Sequence, residues 1–208
     1  MKKKITGILL TMTLLLSGCG GNQNSYEGTQ QVQIGSSSRP EMQEEAVNTI
    51  QIKSRYKVTD SMEELKEAVV EILGEDYWPD TLLTAEELAE RTGVSEDMYE
   101  NFMAEYQHAE AGIDMMILIE TEKEQTESVE KLLNEYRDTL LHIYENQLQN
   151  RAKVFASRIE VIDDYVCYVQ LGADITGLEK SGEDAMISYC QEENERALDV
   201  IEKRILQS

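Results

Sequence analysis

From Val129 to Leu148 the apolar residues Val129, Leu132, Leu133, Tyr136, Leu140, Ile143, Tyr144 and Leu148 recur at helical spacing, with no Gly or Pro between them. At 3.6 residues per turn these positions line one face of a long helix, and such a face has to be covered by a second apolar layer. That helix is expected to be the longest element of the chain. A partner layer is available in Asp114-Met115-Met116-Ile117-Leu118-Ile119-Glu120, an apolar run of strand length bounded by charge. It is far too short to cross a bilayer, and its lack of polar alternation predicts a central strand.

The remaining elements announce themselves by their ends. Ser61-Met62-Glu63-Glu64 reads as a capping box ahead of Met62, Leu65, Val69, Ile72 and Leu73, a helical face that stops at Gly74. Thr84-Ala85-Glu86-Glu87 opens a second, short helix that ends at Gly93. Between them lies Tyr77-Trp78-Pro79, which contains the only Trp of the chain. An aromatic pair in a loop either plugs a core between helices or offers a binding surface, and Tyr77 and Trp78 are the candidate partner-binding residues. Tyr99 to Tyr106 suits a strand beside Met115–Ile119, although Met98, Phe102, Met103 and Tyr106 also fit a helix.

Arg158 to Leu171 alternates as a hairpin, with Asp163-Asp164 in a turn whose second place would favour Gly. Gly172 to Gly182 reads as a polar loop. A last helix is expected from Glu183 to Ile205, with Met186, Cys190, Ala197, Ile201 and Ile205 inward and Glu192, Glu193, Glu195 and Arg196 toward water. The expected fold is α+β: a mostly antiparallel sheet of three to four strands packed against the long helix and the C-terminal helix, with two N-terminal helices, as a single domain over residues 58–208.

The N-terminus carries a different kind of information. Lys2-Lys3-Lys4, an apolar segment from Ile5 to Leu16, and Leu16-Ser17-Gly18-Cys19 have the order of a secretory signal peptide. Leu-Ser-Gly-Cys resembles the lipobox of bacterial lipoproteins. The expectation is a signal peptide over residues 1–18, lipidation at Cys19 and a flexible tether through residue 57. Each buried acyl CH₂ contributes about 0.8 kcal/mol, so two or three chains would hold the protein on the extracytoplasmic side of the cell membrane. Gly20 to Pro40 holds four Gly, four Ser, four Gln and two Asn, which supports the tether. Residues 41–60 suit disorder or a short strand through Ile50 and Ile52.

Charge narrows the partners. The chain has 41 acidic and 19 basic residues, and removing residues 1–18 takes three of the basic ones, leaving a formal charge of −25. Such a surface repels phosphate backbones and anionic headgroups, so nucleic acid is excluded as a partner. The two remaining cysteines, Cys167 and Cys190, read as free core thiols, since a chain of this length buries a core without a disulfide. His108 and His142 are the only histidines and stand apart from both cysteines, so no metal pattern exists. No Gly-x-Ser-x-Gly elbow, phosphate loop or His-Glu-x-x-His occurs, and no catalytic residues or cofactors are expected. The function expected is a non-catalytic binding or accessory module at the cell envelope, with another envelope protein or a wall polymer as partner. The alternative is an enzyme or enzyme subunit in envelope polymer modification, with His108 or His142 as a lone acid or base.

The order helix, short helix, strand, strand, long helix, hairpin, helix, behind a lipobox, resembles the Firmicutes-type lipoproteins of the domain of unknown function four-three-five-eight family. The resemblance rests on Leu88–Asp97, with Thr92-Gly93-Val94 before acidic residues, on Ala109–Glu120 ahead of the long helix, and on Val161–Val169. It covers about residues 61–172. Asp163-Asp164 replaces the Gly usual in that turn, and the final helix is longer than usual. The resemblance implies a fold and a location and carries no catalytic residues.

Overall fold

A computed structural model describes residues 58–109 and 112–207. The signal peptide, Cys19, the tether and the Ile50–Ile52 strand lie outside the described residues. The first helix, α1 (Asp60–Leu73), starts at Thr59 and not at Ser61, because the Thr59 hydroxyl accepts the Met62 N–H at 3.5 Å. Gly74 ends it at φ +60°, and Ile72, expected inside, is exposed.

A two-residue strand, β1 (Thr81–Leu82), leads into α2 (Ala85–Thr92). Its capping box is complete: Thr84 Oγ1 accepts the Glu87 N–H at 3.2 Å, and Glu87 Oε2 accepts the Thr84 N–H at 2.8 Å. Thr84→Ala is expected to cost about 1 kcal/mol in denaturant titration, with Thr84→Ser restoring most of it. An unchanged midpoint in the alanine variant would mean that packing alone holds α2.

Two long strands follow, β2 (Tyr99–Tyr106) and β3 (Met115–Thr121), then the helices α3 (Thr126–Ile143) and α4 (Leu148–Ala156). The hairpin is β4 (Arg158–Ile162) and β5 (Tyr165–Gln170), and the chain closes with α5 (Glu183–Ile205). Asp163 takes φ +56° in the hairpin turn, so the left-handed place is the first and is filled by a residue whose short polar side chain tolerates it.

The sheet has five strands in the order β1-β2-β3-β5-β4, and every neighbouring pair is antiparallel. Three to four strands were expected. The unforeseen one is β1, whose two residues are too few for alternation to register. The expected long helix is also two. After Ile143 the chain turns through Tyr144–Gln147 and restarts at Leu148, and the turn is held from outside by Arg151, whose Nη1 donates to the Glu145 carbonyl at 2.7 Å. The same guanidinium forks onto Glu183 at 2.7 Å through both Nε and Nη2. α5, with 23 residues against 18 in α3, is therefore the longest element among the described residues.

Both faces of the sheet are covered. Met116 and Leu118 of β3, with Met103, Cys167 and Val169 of its neighbours, meet Met62, Leu65 and Val69 of α1 and Ala197, Leu198 and Ile201 of α5. Met115, Ile117 and Ile119 face the other way, with Ala104, Val166 and Tyr168, against Leu88 of α2 and Val129 and Leu133 of α3. The central strand is apolar throughout because it is buried on both sides, and each such side chain contributes about 1.5–3 kcal/mol of transfer free energy. Glu193, expected in water, is 6% exposed. Arg196 Nη1 holds both its oxygens at 2.9 Å, and Arg196 Nη2 donates to the Ile72 carbonyl at the end of α1 at 2.5 Å.

Candidate functional site

Polar chemistry collects at one end of the sheet, where β2 and β5 finish and β3 begins. Asp114, immediately before β3, is fully buried, and Lys153 of α4 is 5% exposed. Lys153 Nζ is paired with Asp114 Oδ1 and donates to the Ala173 carbonyl at 2.7 Å, while the Ala173 N–H donates to Asp114 Oδ2 at 2.9 Å. Burial pushes the Asp114 carboxyl upward, and Lys153 with the backbone donors pulls against that shift. Ala173 is held at φ +42°, a costly backbone state for a residue with a Cβ, and both of its backbone polar groups are engaged by the pair.

The expected pair Tyr77 and Trp78 is half-buried, and each residue is tied inward to an acid–lysine pair whose acid is buried. Tyr77 donates its hydroxyl to Glu105 Oε2 at 2.7 Å, and Lys66 of α1 reaches Glu105 Oε1 at 2.5 Å. Burial first, and then the Glu105 charge, raises the Tyr77 phenol. The Trp78 ring centroid lies 5.3 Å from Lys153 Nζ, a cation–π contact, and its indole N–H donates to the Glu75 carbonyl at 3.1 Å.

On the other side of Asp114 lies a cavity of about 110 Å³ whose wall includes Arg91, Tyr106, Gln107, Tyr136, Tyr144 and Gln170. The Arg91 guanidinium stands 4.6 Å over the Tyr106 ring, and Tyr136 packs edge-on against Tyr168 at 6.1 Å. Gln170 is locked, accepting from the Tyr168 hydroxyl and donating to the Ile113 carbonyl, both at 2.5 Å. Gln107 Oε1 is buried without a hydrogen-bond partner among the described residues. A cationic head, three phenol rings and an unpaired acceptor suit a small polar guest.

Close packing continues behind the ion pair. A Cβ on Gly172 would sit 2.5 Å from Cys190 Sγ. Gly172→Ala is expected to destabilise by about 1–3 kcal/mol through overpacking, and Cys190→Ala in the same chain is expected to recover part of that loss, since the Cys190 Cβ at 3.3 Å remains. Additive losses in the double variant would refute the contact as the cause.

The histidines do not meet. His108 follows β2, is exposed, and donates its backbone N–H to Asp80 Oδ1 at 3.0 Å, which lowers the Asp80 carboxyl. His142 is in the last turn of α3, exposed, 3.9 Å from Glu145. Among the described residues no group of His, Cys, Asp and Glu is arranged to hold a metal ion.

In the sequence Asp114 marks only the charged boundary of an apolar run, and local pattern does not distinguish Arg91, Lys153, Tyr106, Tyr136 or Tyr144 as site residues. One signal was available: Lys153 is a lone charge in Ala152-Lys153-Val154-Phe155-Ala156, where a buried helix calls for an apolar residue.

Comparison with known proteins adds one finding. Searches of curated proteins and of solved structures return no match. Residues 74–171, from the glycine that ends α1 to the residue after β5, match the family described as Domain of unknown function (DUF4358), which supports the family membership implied by the sequence motifs.

Proposed function

We propose that this chain is an extracytoplasmic lipoprotein of the Firmicutes type, anchored to the cell membrane through Cys19, whose domain works as a non-catalytic binding or accessory module at the cell envelope. The anchor rests on the lipobox. Among the described residues no helix is long and apolar enough to cross a membrane. The observation that carries the binding role is the end of the sheet: aromatic rings and the Arg91 guanidinium around a small cavity, linked through Asp114 and Lys153 to Trp78, on a chain whose formal charge is −22. Half-exposed aromatic groups provide contact area at low entropic cost. The partner is another envelope protein or a wall polymer.

The test joins the two halves. Cys19→Ala is expected to release the protein from membranes in its host, and membrane retention with no acyl mass on the wild-type N-terminus would refute the anchor. Trp78→Ala and Tyr77→Phe, checked for folding, are expected to deplete the proteins crosslinked on intact cells. Unchanged crosslinks would remove both residues from the contact. Turnover of an envelope substrate that is lost in His108→Ala or His142→Ala would replace the binding role with an enzymatic one.

A further inference from the structure

β4 forms one edge of the sheet, and its backbone groups divide between β5 and the outside. The two-residue turn Asp163-Asp164 closes on the pair Ile162↔Tyr165, and bonded and non-bonded pairs alternate from there, so Glu160 and Arg158 direct their N–H and C=O to β5. Ile159 and Val161 direct theirs away from the sheet. Among the described residues no strand lies beyond β4. The opposite edge is blunted by the two residues of β1, whereas β4 runs for five with no Pro, no Lys and no register shift. β5, α3 and α5, the elements packed against β4, are described over their whole length, as is β4 itself.

The side chains alternate in the same way. Ile159 packs against the apolar layer beneath α3, and Val161, on the same face, is 40% exposed. On the other face Ile162 is buried with Cys167 and Val169, and Glu160 and Arg158 share that side. Arg158 is engaged, its Nη1 meeting Glu195 of α5 at 3.3 Å. Glu160 is half-buried, and among the described residues no Lys, Arg or His forms an ion pair with it. A carboxylate partly withdrawn from water without a counter-charge carries a desolvation cost that a cation from outside relieves.

We infer that the β4 edge accepts an extended segment of a partner protein as an added strand, with Lys or Arg opposite Glu160 and apolar residues opposite Ile159 and Val161. Backbone pairing at Ile159 and Val161 supplies the attachment, the exposed Val161 side chain takes the apolar face of the incoming strand, and Glu160 selects a cation on the other. A second copy of this chain is disfavoured, because the two-fold register that uses both rungs, Ile159 against Val161, sets Glu160 directly opposite its equivalent. This surface uses none of the residues of the Tyr77 and Trp78 contact and does not require the membrane anchor.

The experiment uses the full chain and an acetylated, amidated hexapeptide that alternates valine and lysine, with its valine–glutamate counterpart as control. Saturating lysine peptide is expected to slow hydrogen exchange of the Ile159 and Val161 amides by about tenfold or more. Glu160→Lys, with its thermal unfolding checked against the parent, is expected to lose about tenfold or more in affinity for that peptide and to prefer the glutamate peptide. N-methylation of the peptide's edge-facing amides is expected to abolish binding. The inference is overturned if Ile159 and Val161 exchange no more slowly with peptide, whatever other amides do, since binding would then be charge attraction alone. It is overturned if charge reversal leaves the preference unchanged or if the methylated peptide binds equally well. It is overturned equally if both amides are already protected in the chain without peptide, since the chain would then be covering its own edge.

Discussion

Lys153→Met is expected to lower stability by about 3–5 kcal/mol, the cost of leaving a buried carboxylate without its counter-charge. Lys153 does more than neutralise Asp114: its ammonium also serves the Ala173 carbonyl and lies against the Trp78 ring. Removing it leaves an unpaired acid and an unpaired carbonyl, in a place where water has no ready access to either. For a domain of this size each kcal/mol moves Tm by about 2–4 °C, so calorimetry should show a drop on the order of 6–20 °C. Asp114→Asn is expected to be destabilising as well, because it leaves the buried Lys153 ammonium without its counter-charge and turns an amide NH2 toward one of two donors. Replacing both members by apolar residues of similar volume is expected to recover part of the loss. If Lys153→Met unfolds within a degree or two of the parent, the pair is not a structural keystone.

The second large effect concerns the thiols. Cys167 and Cys190 are both free and fully buried, in different parts of the core, and burial pushes each thiol up to about 12. An unperturbed thiol near 8.5 has about a quarter of its population as thiolate at pH 8, and a thiol near 12 has about one part in ten thousand. Since the thiolate is the reactive form, modification of the native chain is expected to be slower by about three orders of magnitude than that of the denatured chain. A Cys19→Ser chain leaves these two alone for the measurement with a disulfide reagent. Fast labelling of the folded protein would contradict the burial. Two thiols missing under denaturing conditions and restored by reductant would establish a disulfide instead. The sign for stability follows: because the folded thiols titrate above the unfolded ones, the unfolded chain gives up its protons first. Stability from this source is complete below about pH 8.5 and declines as pH rises toward 12.

Much of the architecture was legible in local pattern. Met115–Ile119 reads as a buried central strand, Arg158–Leu171 as a hairpin and Glu183–Ile205 as a helix because each repeats its period often enough to be recognised. Thr84–Glu87 reads as a helix start because its two reciprocal hydrogen bonds lie within four residues. These are short-range consequences of backbone geometry, and the chain states them directly. What only the tertiary structure decided depends on partners distant in sequence. The break of the expected long helix at Tyr144–Gln147 is held by an arginine that also reaches Glu183. β1 exists because β2 offers it carbonyls at Ala104 and Tyr106. Glu193 can leave water because Arg196, itself exposed, holds both of its oxygens. Asp114 and Lys153 are 39 residues apart in sequence and reach each other only after β3, α4 and the Gly172–Ala173 turn have been placed. Periodicity reports whether a position faces inward or outward, and it carries no record of which distant charge will make an inward charge tolerable.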